Sequence, residues 1–441
     1  MTYQRWILAA AAVMLAACSG AGDGEWAGTV RDSAGVAIVE NPSAGTWTAE
    51  TMPTVREALK IGSAEGAAEE QFGMIVGMDV DSQGRIYVLD QQARRVRVFA
   101  PDGTFSHEMG GSGSGPGELS PASAGLILTA GDTVLVPDMG QMRLTRYAPD
   151  GTALGSTPVN VADGIPLRWD IMPDRRIVQQ SRPIQMQGAQ GETAPPGAQA
   201  EATQADETPG ENRPDLLLVR GADGAVLDTL MVLPAGQSFQ LQRGGLTMRI
   251  FEPEPIWAVD GRGRIVFGIN SEYSLRVHGD DGSLQRVITK PFVREPVTEA
   301  DRSAFMRFIR EAWSNAGMPP AQVDQLAQGI EFADHYPAFA SLLGGPHGSI
   351  WVQHVRSAQQ VAASGAEFSA MDVGASDWDV FDPDGRFLGM LSLPDRFQPM
   401  RVVEDRLYGV WRDDLDVQHV LVVQVVGEGQ TFQGEAALGG L

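Results

Sequence analysis

The strongest constraint on this chain is a unit between Met78 and Gly110, MDVDSQGRIYVLDQQARRVRVFAPDGTFSHEMG, that recurs downstream. Its apolar runs (IYVL, VRVF) alternate with turns at Asp81 to Gly84 and Pro101 to Gly103, which predicts four short strands joined by tight turns. One such unit cannot bury both faces of its sheet and needs neighbours of the same kind. The next, Leu126 to Val159, keeps the same internal offset: Asp90 to Asp102 spans 12 residues, as does Asp138 to Asp150, at a period of 48.

Turns between first and second strands recur at Asp81 to Gly84, Ala130 to Asp132, Pro173 to Arg175, Asp260 to Gly263, Gly344 to Gly348 and Glu404-Asp405, each followed by a β-rich run. Six turns imply six blades. The third-to-fourth-strand turn recurs as Asp-Gly at Asp102, Asp150, Asp223, Asp281 and Asp384, and is missing only after His419 to Val426, near the end of the chain. An early strand must therefore complete the last blade and remove its exposed edge. Gly35 to Glu40 and Ala58 to Gly62 are the candidates, one or both. The expected fold is all-β: a six-bladed β-propeller over residues 35–441, closed by an N-terminal strand.

The run from Gly84 to Asp90, the Arg95 to Phe99 run, the Asp-Gly turn and the linker Gly113 to Pro121 resemble NHL-type repeats of six-bladed β-propellers. The likeness is close in units one and two and weaker in three and six. It implies the fold. Many bacterial lipoproteins of this kind are known only as propellers, whereas amidating lyases of the NHL type hold zinc with histidines and lactonase-like propellers hold calcium with Asp, Glu and Asn.

The first residues, MTYQRWILAAAAVMLAACSG, combine a positive start with an apolar run from Trp6 to Ala17, too short to span a bilayer, and read as a signal peptide over 1–17. Leu15-Ala16-Ala17-Cys18 resembles the bacterial lipobox, with Cys18, the only cysteine in the chain, as the lipidated residue. Residues 18–34 then form a lipidated tether, and Ser19 resembles the signal for sorting to the outer membrane. The expected location is the bacterial cell envelope, lipid-anchored, facing the periplasm or the cell surface. A formal charge of -23 without a basic stripe argues against nucleic acid as a partner.

Three insertions break the period. Residues 184–213 lack apolar periodicity and read as a disordered loop. Residues 293–338 read as a helical insertion between blades four and five, opened by a Thr298/Asp301 capping box, with Phe305, Phe308, Ile309 and Trp313 on one stripe and a second helix after Pro319-Pro320. The third spans about Ser357 to Ser376. Second-to-third-strand loops and blade-to-blade connections emerge on the same face, so all three decorate one rim, where binding residues usually lie.

The ends of the second strands point to that rim. Asp90 and Asp138 read as structural acceptors for the following turn. Arg182, Arg356 and Arg412 depart from the repeat, and their convergence would make a site for a carboxylate or phosphate. His354, His335 and Asp413 complete the candidate ligand-binding set. His107, His278, His347 and His419 scatter to other parts of the repeat, so no catalytic residue, metal or cofactor is assigned. The expected function is ligand binding or protein interaction at the decorated face, with a small anionic ligand or an envelope protein as partner. The alternative is an envelope lyase or hydrolase at the channel mouth.

Overall fold

The computed structural model of this protein describes residues 25–427 apart from 124, 184–213, 243–244, 316 and 364–372. The leader, Cys18 and the loop at 184–213 lie outside these residues.

Six sheets, each with four antiparallel strands at its base, are arranged as blades around a channel. Blade one is typical: Ile75–Val80 lines the channel, followed outward by Ile86–Asp90, Arg95–Phe99 and Phe105–Gly110. Every residue of Ile86–Asp90 is buried, because the strand has a blade on each side. Val88 and Phe99 pack with Tyr408, Val410, Val420 and Val422 of blade six, while Tyr87, Leu89, Val96 and Val98 face Leu128, Val134 and Val136 of blade two. The core is thus a set of layers between blades.

The ring closes through Thr54–Ile61, which pairs antiparallel with Gln418–Val426, the third strand of blade six, from Val420↔Ile61 to Val426↔Thr54. Of the two candidate early strands, only this one closes the ring. The other, Val36–Glu40, runs parallel to the outer strand of blade four (Leu284–Thr289) and carries a further strand, Thr29–Ser33, making blade four six-stranded. Strand structure is therefore present ahead of Gly35, inside the expected tether. Asn41 fixes the arrangement. Its Nδ2 donates to the carbonyls of Thr289 and Gly385, and its Oδ1 accepts from Trp26 Nε1 and the Phe387 amide.

Innermost strands have no strand partner on the channel side, and carboxylates there bridge from blade to blade. Asp79 accepts from the amides of Val80 at 2.8 Å and of Leu128 in blade two at 2.8 Å. In the equivalent register of blade three, Asp170 accepts from Ile171 at 2.8 Å and from Val259 of blade four at 3.2 Å.

The insertions form a cap. Helix α1 (Glu299–Asn315) starts at the expected box: the Thr298 amide donates to Asp301 Oδ2 and the Asp301 amide to Thr298 Oγ1. Helix α2 (Pro320–Gln328) is tied to it by Arg310–Asp324, and α3 (Ala358–Ala363) belongs to the third insertion. A hairpin absent from the sequence reading, Phe239–Gln242 with Gly245–Ile250 between blades three and four, pairs in parallel with Ile330–Phe332. Phe251, Phe305, Ile309, Tyr336 and Ala358 share one apolar cluster, with Trp313 partly buried against it.

The bridging carboxylates set a stability test. Asp79→Ala leaves the buried Leu128 amide without its acceptor and is expected to lower the unfolding free energy by roughly 1–3 kcal/mol. An unchanged urea midpoint would show that this carboxylate does not hold blades one and two together.

Candidate functional site

The channel holds a cavity of about 950 Å³ lined by blades three to six and by α3. Sequence alternation places mainly apolar or small residues on the innermost strands, but two arginines interrupt them. Arg168 stands in blade three at the level of Gly77 in blade one and Ile256 in blade four, and Arg401 in blade six, paired with Tyr408, stands at the level of Asp79 in blade one, paired with Tyr87, and of Ala258 in blade four. Both line the cavity, as do Arg356 and Arg412 at the decorated end.

Arg168 donates from Nη1 to the Trp257 carbonyl at 2.5 Å and stacks its guanidinium on the Trp257 ring, 4.6 Å from the centroid. Its Nη2 is 4.0 Å from Asp170, and 41% of its side chain is exposed to the channel. Enclosure by protein lowers the pKa of this guanidinium, with the charge of Asp170 opposing. Arg401 Nε lies 3.0 Å from Asp79 Oδ1 without an aligned hydrogen bond. Arg412 Nη1 is 3.8 Å from Asp416, and the Arg356 amide donates to the Val373 carbonyl.

The expected convergence of three arginines is only partly met. Arg356 and Arg412 share the cavity, but Arg182 does not line it. Its Nε and Nη2 meet the two oxygens of Asp215 at 2.8 and 3.1 Å, a fork that raises its pKa while burial opposes. Asp413 is also outside the cavity lining. Its Oδ1 accepts from the Leu415 and Val417 amides and its Oδ2 meets His419, with the Val417 bond the main cause of its lowered pKa. His335 is held in the cap by a bridge to Pro296, and His354 turns to Asp379. Asp90 takes the amides of Gly73, Met74, Gln92 and Ala93, and Asp138 those of Ser120 and Gln141. Trp169, aligned with the core residue Trp257, is partly buried and lines the cavity.

Sequence reasoning missed Arg168 and Arg401 because it searched strand ends. The available signal was an arginine at innermost-strand positions that other blades fill with Gly77 or Ile256 in the one case and with Asp79 or Ala258 in the other. Among the described residues, no group of three or more His, Cys, Asp or Glu side chains is placed to hold a metal ion, and no helix is long and apolar enough to cross a membrane.

The profile of a family, DUF5128, described as a 6-bladed beta-propeller, matches residues 75–159. Those are blades one and two. A protein of Bacteroides fragilis described as exported is similar in structure, with a TM-score of 0.45, 12% identity and coverage of 88% of this chain and 99% of that one. A member of the duf4221 family from Bacteroides vulgatus has a TM-score of 0.47 at 12% identity, over 86% of this chain and 98% of the other. Virginiamycin B lyase from Staphylococcus aureus has a TM-score of 0.41 at 9% identity, over 85% and 100%. At identities this low the likeness says nothing of chemistry. No curated protein matches the chain in sequence.

A second cluster sits between blades four and five. Asp379, almost wholly buried, accepts from Tyr273 Oη at 2.6 Å and Lys290 Nζ at 2.6 Å, and His354 Nε2 lies 3.0 Å from its other oxygen. Burial alone would raise the carboxyl pKa, but the His354 hydrogen bond and the Lys290 charge outweigh it and hold the group below the usual range. A depressed carboxylate contributes stability that is complete above the ordinary Asp pKa of about 3.9 and is lost as pH falls through its lower folded value. Asp379→Asn leaves Lys290 buried without its counter-charge and is expected to cost about 3–5 kcal/mol near neutral pH. Thermal melts should show the gap to wild type closing on acidification, and a pH-independent gap would contradict this account.

Proposed function

We propose that this chain is a cell-envelope propeller that binds a small anionic ligand in its central channel, admitted at the capped end. The observation carrying this reading is that a chain of charge -23 lines one cavity of about 950 Å³ with six arginines, Arg168, Arg356, Arg401 and Arg412 among them, against five carboxylates. Guanidinium groups in a recess of lowered dielectric favour carboxylate or phosphate, and the volume suits a small molecule better than a polymer. Anchoring through a lipid on Cys18 belongs to the same proposal and is supported by the Leu15 to Cys18 pattern. Cys18→Ser should then move the protein from the membrane to the soluble fraction.

A second reading, an envelope lyase or hydrolase, is favoured by the His354–Asp379 pair, since a carboxylate that orients an imidazole is the arrangement of a general base. Loss of turnover in His354→Ala, with ligand binding kept, would support it.

The binding reading is tested by calorimetric titration of the whole protein with small carboxylates and phosphate esters beside their neutral amide or alcohol analogues. Anions should bind at least tenfold more tightly and lose affinity as salt is raised. Arg412→Gln, at the mouth, should slow association and weaken binding a few-fold. Equal affinity for neutral analogues would overturn the anionic reading.

A further inference from the structure

We infer that the ligand is a monoanionic carboxylate whose charged end is held midway down the channel by Arg168 and Arg401, with an uncharged, partly apolar body extending toward the capped mouth. This rests on the reading of the channel as the binding site and assigns the atoms that read the ligand.

The two arginines come from blades three and six, which face one another across a six-membered ring. Each is anchored without being satisfied. Arg168 has one terminal nitrogen on the Trp257 carbonyl and its flat face on the Trp257 ring, which fixes the plane of the guanidinium. Among the described residues its Nε and Nη2 donate no hydrogen bond. Arg401 donates no side-chain hydrogen bond among them either, although Asp79 lies beside its Nε. The neighbouring carboxylates are already engaged, since both oxygens of Asp79 accept backbone amides, as do both of Asp170. Two planar forks that retain donors are the chemistry that recognises a carboxylate.

Charge sets the valence. Arg168 lies beside Asp170, and Arg401 and Arg175 lie within 3.0 and 3.9 Å of Asp79. Three guanidinium groups against two carboxylates leave one net positive charge around Asp79 and Asp170, which matches one negative charge on a ligand. The mouth is more nearly balanced, because Arg356, Arg396 and Arg412 there stand against Asp395, Asp414 and Asp416. Toward the mouth the wall carries Val361 and Val373, and Trp169 and Met400 line it between the levels of the two arginines, which suits an uncharged body.

The test titrates the whole protein with benzoate and hexanoate, and with benzamide and hexanamide as neutral counterparts of the same shape. Benzoate or hexanoate should bind at least tenfold more tightly than its amide. Arg168→Gln and Arg401→Gln should each weaken the carboxylate ten- to a hundredfold while leaving the amide almost unchanged, and Arg401→Lys should recover only part of the loss. Thermal melting of each variant separates loss of the site from loss of the fold, and a destabilised Arg401→Gln leaves Arg168→Gln to decide. If Arg168→Gln costs no more than Arg412→Gln, the charged end lies at the mouth. This inference then falls while channel binding stands. If the wild type binds neither carboxylates nor amides but binds phosphate esters, the carboxylate assignment falls alone. If it binds no anion, the channel reading falls and this inference with it.

Discussion

The pairing of Thr54–Ile61 with Gln418–Val426 turns a row of sheets into a ring. Without it blade six would have three strands and an open edge, and the apolar layer that joins Ile61, Phe72 and Phe99 to Tyr408, Val420 and Val422 would be exposed on one side. Each blade is stable only because both faces are covered, so a seam at one point supports every layer around the circle. The chain brings together segments more than 350 residues apart to make it. This is a slow kind of contact to form and a strong one to keep once the remaining blades are in place.

Closing a ring creates an inner wall of strands without partners, and polar groups there have to be met by side chains. Asp79 and Asp170 meet them by reaching from one blade to the next. Placing carboxylates at the wall in turn draws in Arg168, Arg175 and Arg401, so arginines gather at the channel wall as part of a solution to a backbone problem. On the proposed reading, stability and recognition share the same atoms. Where Asp90 and Asp138 sit at strand ends, by contrast, the carboxylates bind turn amides and no channel arginine gathers around them.

The propeller was legible because its punctuation is chemical. Asp-Gly turns and the IYVLD run tie a backbone shape to residue types, and the period of 48 repeats them. Closure by an early strand followed from the missing sixth turn. The position of Val36–Glu40 did not follow, because parallel pairing to the outside of blade four depends on Asn41 finding carbonyls at Thr289 and Gly385, hundreds of residues away. Arg182 read as a site residue because its partner, Asp215, lies beyond the long insertion of blade three. Arg168 and Arg401 stayed hidden because alternation marks their positions as interior without saying whether the interior is a packed layer or a channel.

The docked N-terminal hairpin also decides how the protein carries load. A pull on the N-terminus reaches Thr29–Ser33 and Val36–Glu40 before it reaches the closing strand, and the parallel pairing with Leu284–Thr289 meets it partly in shear, so that several hydrogen bonds must fail together. Asn41 pins the end of that hairpin to blades four and five, and Trp47, whose amide donates to the Leu388 carbonyl, fastens the chain to blade five again before the closing strand. Tension is thus diverted into a flank of the ring, and the seam that holds the circle shut is spared.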